Sequence, residues 1–176
     1  MKKGIIVLSL ICSAMQMLGQ DKKGCKADAL AEKPGVVIQR EYVNISKLKN
    51  LSIVVEYVTD LSNNQKLSAV DMEYDITASG EEKGSSVSTL LDPDEADGLI
   101  AFIQNLQDNI IKAAAPKNYT EYSYQTLSGF EAGCYWNNAW KIYIKIDVSD
   151  DKTTMELDKD DLTAFVSFIK QAKAKL

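Results

Sequence analysis

Asp71, Glu73 and Asp75 stand at alternate positions of one segment, a spacing that puts three carboxyl groups on the same side of a strand. Such a row can hold a general acid beside a general base, the chemistry of glycoside hydrolysis. It needs an apolar wall to raise one pKa, and no neighbour in the sequence supplies one, so a solvated strand face explains the row equally well. Ser46 and Lys49 have the Ser-x-x-Lys spacing of a nucleophile and its base. That pair works only where a helix starts at the serine and buries the amine, whereas the flanking residues read as strand or loop. The stretch Asp92 to Asp97 offers oxygen ligands for calcium, but Ala96 stands where a fifth-position oxygen is wanted and the turn glycine is displaced to Gly98. No metal site and no cofactor are expected.

The chain has no histidine. Hydrolases with an imidazole base and metal sites with imidazole ligands are therefore excluded. Cys25 and Cys134 form a possible disulfide, which would tie the N-terminal arm to the second half of the chain.

Eight of the aromatic residues, from 8 Tyr, 4 Phe and 2 Trp in all, crowd between Tyr119 and Tyr143. If Asn137 and Asn138 form a two-residue hairpin turn, Tyr135 faces Trp140 and Trp136 faces Ala139. Trp140 leads the apolar series Ile142, Ile144, Ile146 and Val148, which assigns Trp140 and Tyr135 to the core. Trp136 is then left on the open face with Cys134, Lys141, Tyr143 and Lys145. Trp136, Lys141, Tyr143 and Lys145 are the candidate ligand or partner contacts, by stacking on sugar rings or by filling a partner's pocket.

The elements that must position these residues show in the periodicity. Alternation marks strands at Val36 to Val43, from Leu51 to Tyr57, from Val70 to Ala78 and ending near Leu91. At Asp92 the period changes to that of a helix: Asp92 caps, Pro93 suits the first position, and Ala96, Leu99, Ile103, Leu106 and Ile110 share one face. Further strands follow near Tyr119 to Leu127, Glu131 to Trp136, Trp140 to Val148 and Thr153 to Leu157. Asp158 then caps a final helix with its stripe on Leu162, Phe165, Val166, Ile169 and Ala172.

The halves 51–110 and 117–176 match at an offset of 66 residues; Leu91, Asp92, Phe102 and Ile103 return as Leu157, Asp158, Phe168 and Ile169. The expected fold is α+β: a single antiparallel sheet of about seven strands with two helices on one face, built from a duplicated β-β-β-α unit. In architecture alone this resembles β-lactamase-inhibitor-like binding proteins, a likeness that transfers no function.

Lys2 and Lys3 precede an uncharged apolar run that ends in small residues, the layout of a secretory signal peptide. Cleavage is expected after Gly19, so residues 1–19 are the leader, 20–35 an N-terminal arm and 36–176 a single domain. The run is shorter than a membrane-spanning helix, and no transmembrane anchor is expected after cleavage. The formal charge of −5 becomes −7 once Lys2 and Lys3 are removed, since 20 basic residues fall to 18 against 25 acidic ones. Such a chain repels phosphate backbones, so nucleic acid is not an expected partner. The combined expectation is an exported, periplasmic or extracellular, non-enzymatic module that presents an open sheet face to a protein or glycan. The alternatives are a carboxylate-dependent hydrolase acting on glycans and a structural envelope component.

Overall fold

The computed structural model describes residues 24–76 and 85–176. The expected leader and the loop carrying Gly80 lie outside the described residues. A short helix, α1 (Lys26–Ala31), opens the described chain, followed by the strands β1 (Ile38–Leu48), β2 (Leu51–Asp60), β3 (Gln65–Ile76) and β4 (Ser85–Leu91). Helix α2 (Pro93–Asn105) follows and continues into a π-helical turn over Leu106–Ile110. A second run of strands comprises β5 (Glu121–Gln125), β6 (Glu131–Trp136), β7 (Trp140–Lys145) and β8 (Thr154–Leu157), and α3 (Lys159–Lys173) ends the fold.

The strands form two antiparallel four-stranded meanders, β1-β2-β3-β4 and β5-β6-β7-β8, in place of the one sheet of about seven strands expected. Among the described residues the hydrogen-bonded ladder breaks at α2: β4 pairs only with β3, and β5, which follows the helix in the chain, pairs only with β6. The 66-residue offset carries β4 and α2 onto β8 and α3. Upstream it fails, because it lays β2, second in its meander, on β5, first in the other.

One core joins the layers. The inner faces of the two sheets contribute Leu51, Ile53, Val55, Val70 and Met72 from the first and Ala132, Cys134, Ile142 and Ile144 from the second. Leu99 and Ile103 of α2 and Phe165 and Ile169 of α3 pack into the same cluster. The helical stripes read from the sequence are thus the buried faces. Phe130 and Phe165, both fully buried, meet with ring centroids 6.3 Å apart.

Asp158 caps α3 in full: its carboxylate accepts from the Asp160 and Asp161 N–H groups at 2.8 Å, and Asp161 accepts from the Asp158 N–H at 3.0 Å. Asp92 forms a capping box with Glu95 on α2 as well, and its carboxylate also serves a second helix. Its N–H donates to Glu95 Oε2 at 3.0 Å, while its carboxylate receives the Cys25 thiol at 3.0 Å and the Lys26 N–H at 3.1 Å. The residue that starts α2 therefore also anchors α1, which covers part of the outer face of the first sheet through Ala27 and Leu30 against Val58 and Ala69. Cys25 and Cys134 are both free and buried. The expected bridge is not formed, because Cys25 belongs to this outer cluster and Cys134 to the inner core. Among the described residues no helix is long and apolar enough to cross a membrane.

Candidate functional site

Strand pairing in the second sheet decides which side chains reach solvent. The β6–β7 hairpin turns over three residues, Asn137, Asn138 and Ala139, with Asn138 at φ 59° and the Asn137 N–H donating to the Ala139 carbonyl at 3.0 Å. Trp136 therefore pairs with Trp140, and Tyr135 with Lys141. The register differs by one residue from the expected two-residue turn, so Trp136 and Tyr135 exchange faces. Trp136 lies on the inner side, edge-on to Trp140 with centroids 5.4 Å apart, and is not on the open face. Cys134 is inner as well. Lys141, Tyr143 and Lys145 do share the open face, joined by Tyr135.

That face is organised around Tyr143, of which only 8% is exposed. Its hydroxyl lies 2.8 Å from Glu121 Oε1 and 2.6 Å from Glu131 Oε1, one carboxylate on each of two neighbouring strands. Tyr119 donates to the other oxygen of Glu121 at 2.9 Å. Tyr135 sits between the two phenols, its ring centroid 6.2 Å from each. Burial, then the two carboxylates, push the Tyr143 hydroxyl far above its ordinary pKa, so it stays protonated at any physiological pH. Lys145 pairs with Asp151 at 2.6 Å, which raises its pKa further. Together with Thr154 and Glu156 these side chains wall a shallow depression of about 320 Å³. Glu121 and Glu131 were not singled out in the sequence, and Tyr119 only as a member of the aromatic cluster. Gly133 was the available signal, since a glycine inside a strand marks a close approach, here that of the Tyr143 ring.

The carboxylate row Asp71, Glu73 and Asp75 lies on the outer face of the first sheet. Asp75 is ion-paired with Lys47 at 3.0 Å. Asp71 stands in register with Val54 and Leu90, the apolar wall that the sequence did not reveal. Burial first, then the charges of Glu56 and Glu73, push its carboxyl up to about 6. Glu56, almost fully buried, is held by Arg40 at 2.8 Å. Ser46 and Lys49 form no dyad, since the Lys49 ammonium is committed to Asp161 at 2.5 Å. Of the acidic run, Asp94 pairs with Lys26 and Asp97 with Lys173. No group of three or more His, Cys, Asp or Glu among the described residues is placed to hold a metal ion.

Comparison with protein-family models finds no match, and no curated protein aligns significantly with the chain.

Proposed function

We propose that the chain is an exported, non-enzymatic binding module that presents the open face of its second sheet to a protein or glycan in the envelope or outside the cell. The observation that carries this reading is the row of three tyrosines, Tyr119, Tyr135 and Tyr143, with Tyr119 and Tyr143 fixed through Glu121 and the row bordered by a shallow depression. Tyrosines give a large contact area at low conformational cost, and two of these are already locked by hydrogen bonds. Lys141 and Lys145 complete the contact set. The charged leader supports export, and a duplicated strand-and-helix unit would account for two meanders each followed by a helix.

The test is a panel of glycans and of envelope and extracellular proteins, screened with the wild type and with Tyr135→Ala. Binding that the variant loses while its melting temperature holds supports the module. Binding that the variant keeps places the contact elsewhere.

A second reading rests on Asp71. A carboxyl group pushed up to about 6 beside the arginine-paired Glu56 offers a candidate general acid for acid–base hydrolysis. Glycan hydrolysis with a bell-shaped pH profile, abolished in Asp71→Asn, would favour this reading over the binding module.

A further inference from the structure

We infer that the depression bordered by Tyr119, Tyr135 and Tyr143 receives the ammonium group of a lysine side chain on a partner protein. This names the chemistry of the partner for the open face proposed above and rests on that reading.

Shape and ring placement come first. Tyr135 has its ring centroid 6.2 Å from that of Tyr119 and 6.2 Å from that of Tyr143, giving a run of π faces, and such faces attract cations. A volume of about 320 Å³ is at the lower end for ligand sites and suits one long side chain better than an extended oligosaccharide.

Charge balance points the same way. Four carboxylates, Glu121, Glu131, Asp151 and Glu156, line the depression with one ammonium, that of Lys145. Lys145 is paired with Asp151. Glu121, Glu131 and Glu156 are in no ion pair among the described residues. An arriving cation meets Glu121, Glu131 and Glu156 beside aromatic walls, with Lys145, which also feels Glu131, as the one cation among the lining side chains.

Proton counting separates an amine from a sugar. The Tyr143 hydroxyl has carboxylate oxygens at 2.8 and 2.6 Å, yet one hydroxyl carries one proton and can donate to only one of them. The site is short of donors. A lysine ammonium brings three donors and no acceptor, whereas each sugar hydroxyl also brings an acceptor that would face carboxylate oxygen. The broad strand face around the depression, with Lys141 and the exposed Tyr119 beside it, gives a polypeptide surface on which to lie, which a free polyamine does not need.

The experiment follows the tyrosine ring resonances of the full chain by NMR during titration with a capped pentapeptide holding one central lysine. Its Nε-acetylated twin, spermidine and a neutral oligosaccharide are titrated in parallel. Saturable shifts of the Tyr119, Tyr135 and Tyr143 rings are expected from the lysine peptide, at least tenfold weaker with the acetylated twin and in Glu131→Gln, and unchanged in Tyr42→Ala. Equal binding of the acetylated twin, or no saturable shift from the lysine peptide, overturns the inference. Tighter binding of spermidine than of the peptide overturns the assignment to a protein partner. If the oligosaccharide alone shifts these rings, the lysine inference fails while the open face stands as a binding surface. If a partner found by other means leaves all three rings unmoved, both readings fail.

Discussion

The phenol of Tyr143 occupies the space that a side chain at position 133 would need. A Cβ on Gly133 would come within 2.7 Å of Tyr143 Cζ and Oη and within 2.9 Å of the Tyr122 carbonyl oxygen. The ring sits where it does because the neighbouring strand has no side chain there, and from that position its hydroxyl reaches both Glu121 and Glu131. Gly133→Ala is expected to lower stability by roughly 1–3 kcal/mol through overpacking and to displace the Tyr143 hydroxyl from the two carboxylates. Thermal melting and the Tyr143 ring shifts read the two effects separately. An unchanged ring environment would show that the contact yields without cost.

Asp71 gives a pH prediction with a definite sign. Its folded pKa of about 6 lies above its ordinary value of 3.8, so the folded state holds the proton more tightly. The stabilisation this brings is complete below the unfolded pKa and is lost as the pH rises through about 6. Asp71→Asn should therefore stabilise the protein at pH 7.5, by roughly 1–2 kcal/mol after allowance for solvent screening at a partly open site. The difference should vanish at pH 3.5. Melting curves at the two pH values decide it; a variant destabilised at pH 7.5 would mean that the Asp71 carboxylate is paired after all.

Buried thiols should behave as such. Burial, then the Asp92 carboxylate, pushes Cys25 up to about 12; burial, then Glu121, pushes Cys134 up to about 11. At pH 8 the reactive thiolate is scarce. Both thiols should resist a disulfide reagent in the native protein and react fully on unfolding, and the melting temperature should not depend on reductant. A faster-migrating species on a non-reducing gel would establish the bridge that the structure lacks.

Gly98 lies inside α2, where alanine normally stabilises a helix by about 1 kcal/mol. Here a Cβ would meet ring carbons of Tyr124 at 2.9 Å, and that ring is held by the Tyr124 hydroxyl donating to the Glu95 carbonyl at 2.9 Å. Gly98→Ala should instead destabilise, by roughly 1–3 kcal/mol. Combining it with Tyr124→Ala should cost less than the two single changes together, because loss of the Tyr124 ring removes the atoms that the new Cβ meets. Strict additivity in that double-mutant cycle would contradict the contact.

The helices were legible because their signals are local. Asp92 followed by Pro93, and Asp158 with Asp160 and Asp161 in the turn after it, mark N-termini through short-range chemistry, and the apolar stripes repeat within each segment. Strand existence was legible for the same reason. The division into two sheets was not, since it depends on which edges stop hydrogen bonding, a long-range outcome with no local pattern. The β6–β7 register turned on whether Asn137 and Asn138 form the whole loop or share it with Ala139. Asparagine tolerates positive φ in either case, so the sequence left open which of Trp136 and Tyr135 faces out. The environment of Asp71 was hidden because Glu56 reads as a polar interruption of an apolar run, and only strand pairing brings Arg40 across to it.

The most direct test of the open face is an affinity comparison, using whichever ligand the glycan and protein panel yields, among the wild type, Tyr135→Ala on the second sheet and Tyr42→Ala on the first. Tyr135 and Tyr42 are solvent-reaching tyrosines on separate sheets, so the pair controls for loss of an aromatic ring in general. Affinity should fall at least tenfold in Tyr135→Ala and stay at the wild-type value in Tyr42→Ala, with both variants melting as the wild type does. A loss confined to Tyr42→Ala would contradict the assignment and move the contact to the first sheet.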